Sequence, residues 1–321
     1  MSKLVHPVVA LDVMGGDQAP DIPLQGAQQA LNQYPDLHLR LIGPSDTIQA
    51  HLSPAYLEHP RLSIVHAPDW IRMDDAPVQA VRQKTASSLV LGVQQMLQPE
   101  VQAFVTAGNS GAAVVAASFY LERLPGILRP AMAVLFPGQQ GHTVLLDVGA
   151  QAQCRPEQLL QFARLGASLA RHMLGIERPR VGLLNIGEEP NKGHSTARAA
   201  FELLSQSELH FTGNIEGWDL PRNRVDVAVC DGFVGNVVLK LAEGLSEYFM
   251  DICPALPGTP GADRFNYTAH GGSLLLGLEK LLVITHGRAE VPAIVNALEL
   301  ARKTALSQML THMHAELKNE V

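Results

Sequence analysis

Two stretches of this sequence place glycines and amide or hydroxyl side chains directly after an apolar run: "NSGA" at 109–112 and "DGFVGN" at 231–236. A glycine-rich turn that leads into a helix N-terminus offers several backbone N–H groups and a favourable dipole to an anion, especially phosphate. In the first stretch the candidate contacts are Asn109, Ser110 and Gly111, with Ser110 either donating to an anion or capping the helix that follows. The second offers Asp231, Gly232, Gly235 and Asn236. The Asn236 amide suits an oxyanion or a phosphate oxygen, and its alternative role is a helix cap. Lys192, in "VGLLNIGEEPNKG", is the most suggestive cation. There an ammonium can pair with Glu188 or Glu189, polarise a carbonyl or neutralise a phosphate.

Asp12, Asp147 and Asp231 each close an apolar run. Carboxylates repel phosphate, so these residues either orient donors and lysine or accept backbone N–H bonds from the next turn. "ALDVMGGDQAP" adds Gly15 and Gly16, where a bare backbone can approach a substrate or a neighbouring turn closely. His270 and His286, beside glycines, are candidate donors to substrate or locally satisfied histidines.

Several other chemistries are absent from the pattern. No GxGxxG follows the first apolar run, and Lys192 precedes Gly193, the reverse of the order a P-loop needs. "GNSGA" is not a GxSxG nucleophile elbow, and no HExxH or comparable metal spacing occurs. Neither a metal nor a cofactor is expected. Cys154, Cys230 and Cys253 are too scattered for a disulfide framework and read as small core residues in a reducing compartment.

The residues of interest must be brought together by the elements that carry them. Six apolar runs end in Gly with Asp, Asn or His, and most precede a segment of helical spacing, at 156–174, 193–204, 233–249 and 291–310. Further strands are expected at 37–42, 62–66 and 132–136. Strand, glycine turn and helix in alternation specify an α/β fold, a mostly parallel sheet with helices on both faces. Because parallel strands point one way, their C-terminal turns gather on one edge, where open α/β sheets bind ligands.

With 46% hydrophobic and 17% charged residues, the 321-residue chain can bury a large core. A net charge of -7 argues against a general nucleic-acid binder, so an acidic partner must meet a local basic patch. No window approaches the roughly 18–20 apolar residues of a membrane span. "CPALPGTPGADRFNY", 253–267, reads as an exposed loop inside a single domain covering 1–321.

Taken in order, "ALDVMGGDQAP", "HAPDWIRMDDAPVQAVRQKTASSL", "VTAGNSGA", "LLDVGAQAQCRPEQLLQFA", "LLNIGEEPNKG", "FTGNIEG", "VAVCDGFVGNVVLK", "HGGSLLLGL" and "HGRAEVPAIVNAL" resemble the bacterial acyl-acyl-carrier-protein:phosphate acyltransferases, the PlsX family. The resemblance runs to about residue 302 and is specific only as a set. It implies an α/β/α sandwich like that of phosphotransacetylases and isocitrate-dehydrogenase-like enzymes, working as a metal-free homodimer. It also implies acyl transfer from acyl carrier protein to inorganic phosphate in phospholipid synthesis, with a glycerol-3-phosphate acyltransferase using the acyl phosphate. Lys192 and Asn236 fall on catalytic positions. The implied location is the cytoplasm, with peripheral contact to the inner face of the membrane as an option.

Arg72, Arg82, Lys84, Arg222 and Arg224 are the candidate carrier-docking cations. Three departures from the family pattern stand out: Gln151 where Asn is usual, Lys280 where Gly is usual, and a short 253–267 segment. In the family the longer insertion there is associated with dimer contacts and membrane-facing helices. Competing functions are a phosphotransacetylase-like enzyme using acyl-coenzyme A, a carrier or acyl binding subunit without turnover, and, least favoured, a nicotinamide dehydrogenase.

Overall fold

A computed structural model describes residues 6–253 and 271–318. In chain order the elements begin with β1 Val8–Asp12, α1 Asp21–Gln33, β2 His38–Gly43, α2 Ser45–His51, α3 Pro54–Leu57 and β3 Leu62–His66. They continue with α4 Pro77–Gln83, α5 Ser88–Gln95, β4 Val101–Thr106, α6 Ser110–Tyr120, β5 Ala131–Gly138, β6 Gly141–Leu146 and α7 Pro156–Leu174. Next come β7 Val181–Leu184, α8 Ser195–Ser205, β8 Phe211–Ile215, β9 Val227–Val229 and α9 Gly232–Ile252. The last are β10 Ser273–Leu276, β11 Leu281–Ile284, α10 Val291–Leu306 and α11 Met309–Lys318.

The chain gathers into two compact units, one of residues 1–122 and 270–310, the other of 123–269 and 311–321. Strands of the first unit run in the order β3-β2-β1-β4-β11-β10, and those of the second in the order β5-β6-β9-β7-β8. Neighbours pair in parallel apart from β10 with β11 and β5 with β6. The mostly parallel α/β architecture expected from the alternating pattern is therefore present.

Apolar runs without alternation explain why these strands are covered on both faces. Val9, Ala10 and Leu11 of β1 and Ala103, Phe104 and Val105 of β4 are fully buried, although successive side chains point to opposite sides. Helices α5 and α10 both pack on β4, and α10 also packs on α1. In the second unit α7 lies over β6 and β9 and packs against α8. Its fully buried Phe162 alone contributes about 1.5–3 kcal/mol through burial.

The helix expected over 291–310 is two helices. Ser307 closes α10 by donating its hydroxyl to the Thr304 carbonyl at 2.8 Å, and Gln308 turns the chain with φ +54° before α11 begins. The short 253–267 segment lies outside the described residues except for Cys253, which closes α9.

Strand order reverses on either side of β1, whose neighbours are β2 and β4. The C-terminal ends of β1 and β4 therefore flank the crevice where an open α/β sheet takes a ligand.

Candidate active site

In the first unit the strand-end turns are organised by Asp12, which is 2% exposed. Its Oδ1 accepts the Met14 N–H at 3.1 Å and its Oδ2 accepts the Thr106 hydroxyl at 2.8 Å. One carboxylate thus ties the turn after β1 to the turn after β4. Burial raises the Asp12 carboxyl above its ordinary range, and the hydrogen bonds pull it part of the way back.

The two turns touch. A Cβ on Gly15 would stand 2.8 Å from the Gly108 nitrogen, so only glycine permits this approach. Gly16, at φ +105°, swings the chain to Asp17, whose N–H donates to the Gly287 carbonyl at 2.8 Å. The turn after β11 joins the group through that bond and through the Thr285 N–H to the Thr106 carbonyl at 2.9 Å. His286 lies in this turn, where its Nδ1 accepts the Arg288 N–H at 3.1 Å.

Asn109, not Ser110, caps α6: its Oδ1 accepts the Ala112 N–H at 3.0 Å. Its Nδ2 reaches the carbonyls of Arg72, Met73 and Asp75 at 3.3, 3.1 and 3.0 Å. The side chain is engaged at both ends, so it straps the 72–75 loop to the helix start. The Ala113 N–H already bonds the Asn109 carbonyl. What remains at the α6 terminus are the N–H groups of Ser110 and Gly111, two exposed residues without intrahelical acceptors.

In the second unit the corresponding buried acid is Asp147, directly after β6. It accepts four backbone N–H groups, from Met132, Gly149, Ala150 and Gln151, at 2.9, 3.1, 2.9 and 2.7 Å. Burial again raises this carboxyl while the four donors oppose the rise. The Gln151 carbonyl accepts the Gly232 N–H at 2.9 Å, so the Asp147 turn is joined to the start of α9.

The contact is closest at Gly235, where a Cβ would stand 1.9 Å from the Asp147 carbonyl oxygen; at Gly232 it would be 2.7 Å from Asp147 Oδ2. Both glycines therefore serve main-chain packing. Asp231 caps α9, its Oδ1 accepting the Val234 N–H at 2.8 Å. With the Gly232 and Val234 donors taken, α9 presents fewer open N–H groups than α6.

Asn236 sits inside the first turns of α9 and is not a cap. Its Nδ2 donates to the Val148 carbonyl at 3.1 Å, which leaves a second amide hydrogen and the Oδ1 lone pairs on an exposed side chain. Lys192 is exposed too, with Nζ 3.9 Å from Glu189; Glu188 pairs instead with Arg224. Two strand-end amides shape the Lys192 loop. Asn185 donates to the Lys192 carbonyl at 3.2 Å and to Asn214 Oδ1 at 3.2 Å, and Asn214 donates to the Glu189 carbonyl at 2.8 Å.

Sequence reasoning missed Thr106, Asn185 and Asn214 as turn-shaping residues. Their signal was modest: Thr106 and Asn185 stand at the end of apolar runs, and Asn214 lies near the end of the mixed strand β8. His270 lies outside the described residues. Of the cysteines only Cys230 is buried; Cys154 is half-buried, and Cys253 is exposed rather than in the core. Burial, aided by the Asp147 charge, pushes the Cys154 thiol up to about 12.

The departures fall in unequal places. Gln151 works through its backbone, donating to Asp147 and accepting from Gly232, so the turn does not depend on an Asn there. Lys280 precedes β11 and donates to the Val101 carbonyl at 3.4 Å, at the opposite end of the strands from the first unit's glycine turns. Among the described residues no group of three His, Cys, Asp or Glu side chains could hold a metal, and no helix is long and apolar enough to cross a membrane.

Residues 8–256 match the family described as fatty acid synthesis protein. A phosphate acyltransferase of Syntrophotalea carbinolica is 41% identical over 98% of this chain and 94% of its own. That of Thermoanaerobacter pseudethanolicus is 39% identical over 97% of each. Among solved structures, a phosphotransacetylase from Streptococcus pyogenes superimposes with a TM-score of 0.66 at 16% identity, covering 94% of both chains. A branched-chain phosphotransacylase from Enterococcus faecalis gives 0.63 at 15% identity, covering 93% of this chain and 99% of its own. The fold is thus phosphotransacetylase-like.

Proposed function

Since the chain belongs to the fatty acid synthesis protein family of acyltransferases, we propose that it transfers an acyl group from the thioester of acyl carrier protein to inorganic phosphate. The observation that carries this reading is the seat at the start of α6, where the Ser110 and Gly111 N–H groups remain open to an anion. In the reaction a phosphate oxygen attacks the thioester carbonyl, an acyl–oxygen bond forms, the carbon–sulfur bond breaks, and the carrier leaves as a thiolate that takes up a proton. Phosphate is itself the nucleophile, so the protein must hold an anion and stabilise an oxyanion without supplying a covalent nucleophile.

Lys192 is assigned to polarising the carbonyl or the phosphate, and Asn236 to fixing geometry with its spare amide hydrogen. Asp12, Asp147 and Asp231 hold the turns; Gly15, Gly16, Gly111, Gly232 and Gly235 let backbone come close. Cys154, with its thiol pushed up to about 12, stays protonated at neutral pH and offers no competing thiolate.

Acyl carrier protein is acidic, so docking requires cations free to meet it. Lys84 is paired with Asp75 at 2.7 Å, and Arg224 with Glu188 and Asp219. Arg72 and Arg82 are exposed without ion pairs among the described residues, and Arg222 stacks over Trp218 at 5.5 Å; these three are the proposed contacts. The protein is proposed to act over 1–321 as one cytoplasmic acyltransferase domain and as a homodimer. Its acyl phosphate would be consumed by a glycerol-3-phosphate acyltransferase.

Purified protein given acyl-carrier thioester and phosphate should form an acyl phosphate that hydroxylamine traps as a hydroxamate. No phosphate-dependent hydroxamate with any of several chain lengths would end this reading. Competing acyl-coenzyme A against the carrier thioester identifies the donor.

A further inference from the structure

We infer that Thr106 is a positioning residue for the anion seat on α6, acting through the hydrogen-bonded chain Asp12–Thr106–Gly108. The inference rests on the reading of that seat as a phosphate site. Thr106 is fully buried, so its hydroxyl cannot meet a ligand. Both Asp12 oxygens are met by donors, Met14 N–H at one and the Thr106 hydroxyl at the other, the pattern of a carboxylate that only accepts. A hydroxyl has one hydrogen. Once that hydrogen goes to Asp12, the Thr106 oxygen can only accept, and the donor it receives is the Gly108 N–H at 3.0 Å.

That direction has a structural consequence. The Ala107–Gly108 peptide is held with its N–H turned inward, and the chain emerges from Gly108 straight into Asn109, the residue that caps α6 and straps the 72–75 loop. The aim of the Ser110 and Gly111 N–H groups is therefore set two residues upstream, by a hydroxyl on the neighbouring strand's carboxylate. The strand-order reversal beside β1 puts this chain where the sheet opens to ligands.

Valine has nearly the same shape as threonine but neither donates nor accepts. Thr106→Val would leave Asp12 Oδ2 and the Gly108 N–H buried without these partners, and the turn would relax until the N–H found another acceptor. Serine keeps the hydroxyl.

Calorimetric titration of the purified full chain with inorganic phosphate, alongside its thermal unfolding, tests the inference. Thr106→Val should bind phosphate about tenfold more weakly while still unfolding in one cooperative transition, and Thr106→Ser should stay within about twofold of the parent. Unchanged phosphate affinity in folded Thr106→Val, equal weakening in Thr106→Ser, or no phosphate binding by the parent protein would overturn it. If Thr106→Val does not fold, Asp12→Asn carries the test: it removes the charge that orients the hydroxyl and should also weaken phosphate binding severalfold, whereas parent-like affinity refutes the inference. Acyl transfer is scored separately. A parent protein that binds phosphate but yields no hydroxamate refutes the proposed reaction and leaves the role of Thr106 standing.

Discussion

Lys192 and Asn236 are both exposed, yet they are anchored differently, and that difference separates chemistry from stability. Among the described residues the Lys192 ammonium meets only Glu189, at 3.9 Å, with its side chain 47% exposed. An ion pair of that kind adds little to stability. Lys192→Ala should therefore lower turnover about 100-fold or more, as expected when a charge that stabilises the reacting oxyanion is removed, with the melting temperature unchanged. Asn236 also supplies a hydrogen bond to the Val148 carbonyl. Asn236→Ala should lower turnover and cost about 1 kcal/mol of stability as well. Steady-state hydroxamate formation and thermal unfolding measured on both variants check the contrast; a parent-like rate in Lys192→Ala would remove it from the chemistry. The strand-end acids were legible as residues of interest, and accepting backbone N–H bonds from the next turn was one of the two roles open to them. Asp147 and Asp231 accept local N–H groups, which a sequence allows and does not dictate, because the donors lie in turns whose path depends on neighbouring strands.

Helices α7 and α9 show how one element can be plain in the sequence while its fit is not. The apolar spacing of 156–174 gives α7 its bounds, since Pro156 starts it and Gly175, at φ +71°, ends it. For α9 the "DGFVGN" start was legible as an anion turn, but the Gly232 N–H is turned to the Asp147 loop and the Val234 N–H to the Asp231 cap. Gly235→Ala should cost about 3 kcal/mol and most of the activity, because its Cβ would be forced against the Asp147 carbonyl at 1.9 Å. Gly244→Ala in the same helix meets nothing within 4 Å and should stabilise by up to about 1 kcal/mol. Chemical denaturation of the pair measures the local constraint, and equal effects would refute it. A second fit, between α7 and α11, depends on pH. Burial pushes Glu316 upward, but hydrogen bonds from Arg171 and His172 prevail and hold it at about 2, while His312 stacks on His172 with ring centroids 4.6 Å apart. A carboxyl held below its ordinary 4.5 contributes stability that is complete above that pH and is lost as pH falls toward 2. With side-chain exposure of 30%, the contribution is about 1–2 kcal/mol. Glu316→Gln should be less stable than the parent by that amount at pH 7, and the gap should close below pH 4.5. A gap independent of pH would place the effect elsewhere.

At the scale of the whole molecule, the parallel α/β architecture was legible because six apolar runs are each closed by a glycine turn. The grouping of strands was not, because strand order depends on which crossovers pack, and no residue records that by itself. The outer face of α9 was equally hard to read. Phe233, Val237, Leu241, Leu245, Tyr248, Phe249 and Ile252 follow a helical spacing that would ordinarily mark a buried stripe, yet they are 45–66% exposed. Only Gly232, Gly235 and Ser246 of this 21-residue helix are buried. A stripe of that size, about 30 Å long at 1.5 Å per residue, is more apolar surface than a monomer commonly leaves in water. The proposed homodimer gives it a partner, since a two-fold contact can set the same stripe of two copies face to face. Leu241 and Leu245 lie one turn apart near its middle, where a charge would be desolvated by such a contact without disturbing the packing of α9 on its own unit. Leu241→Glu with Leu245→Glu should raise the dimer dissociation constant at least tenfold, with each fully buried leucine worth about 1.5–3 kcal/mol, and leave the unfolding transition of the protomer in place. Sedimentation velocity over a range of concentrations reads the outcome. A parent protein that sediments as a monomer, or a double variant that stays dimeric, would show that α9 does not carry self-association.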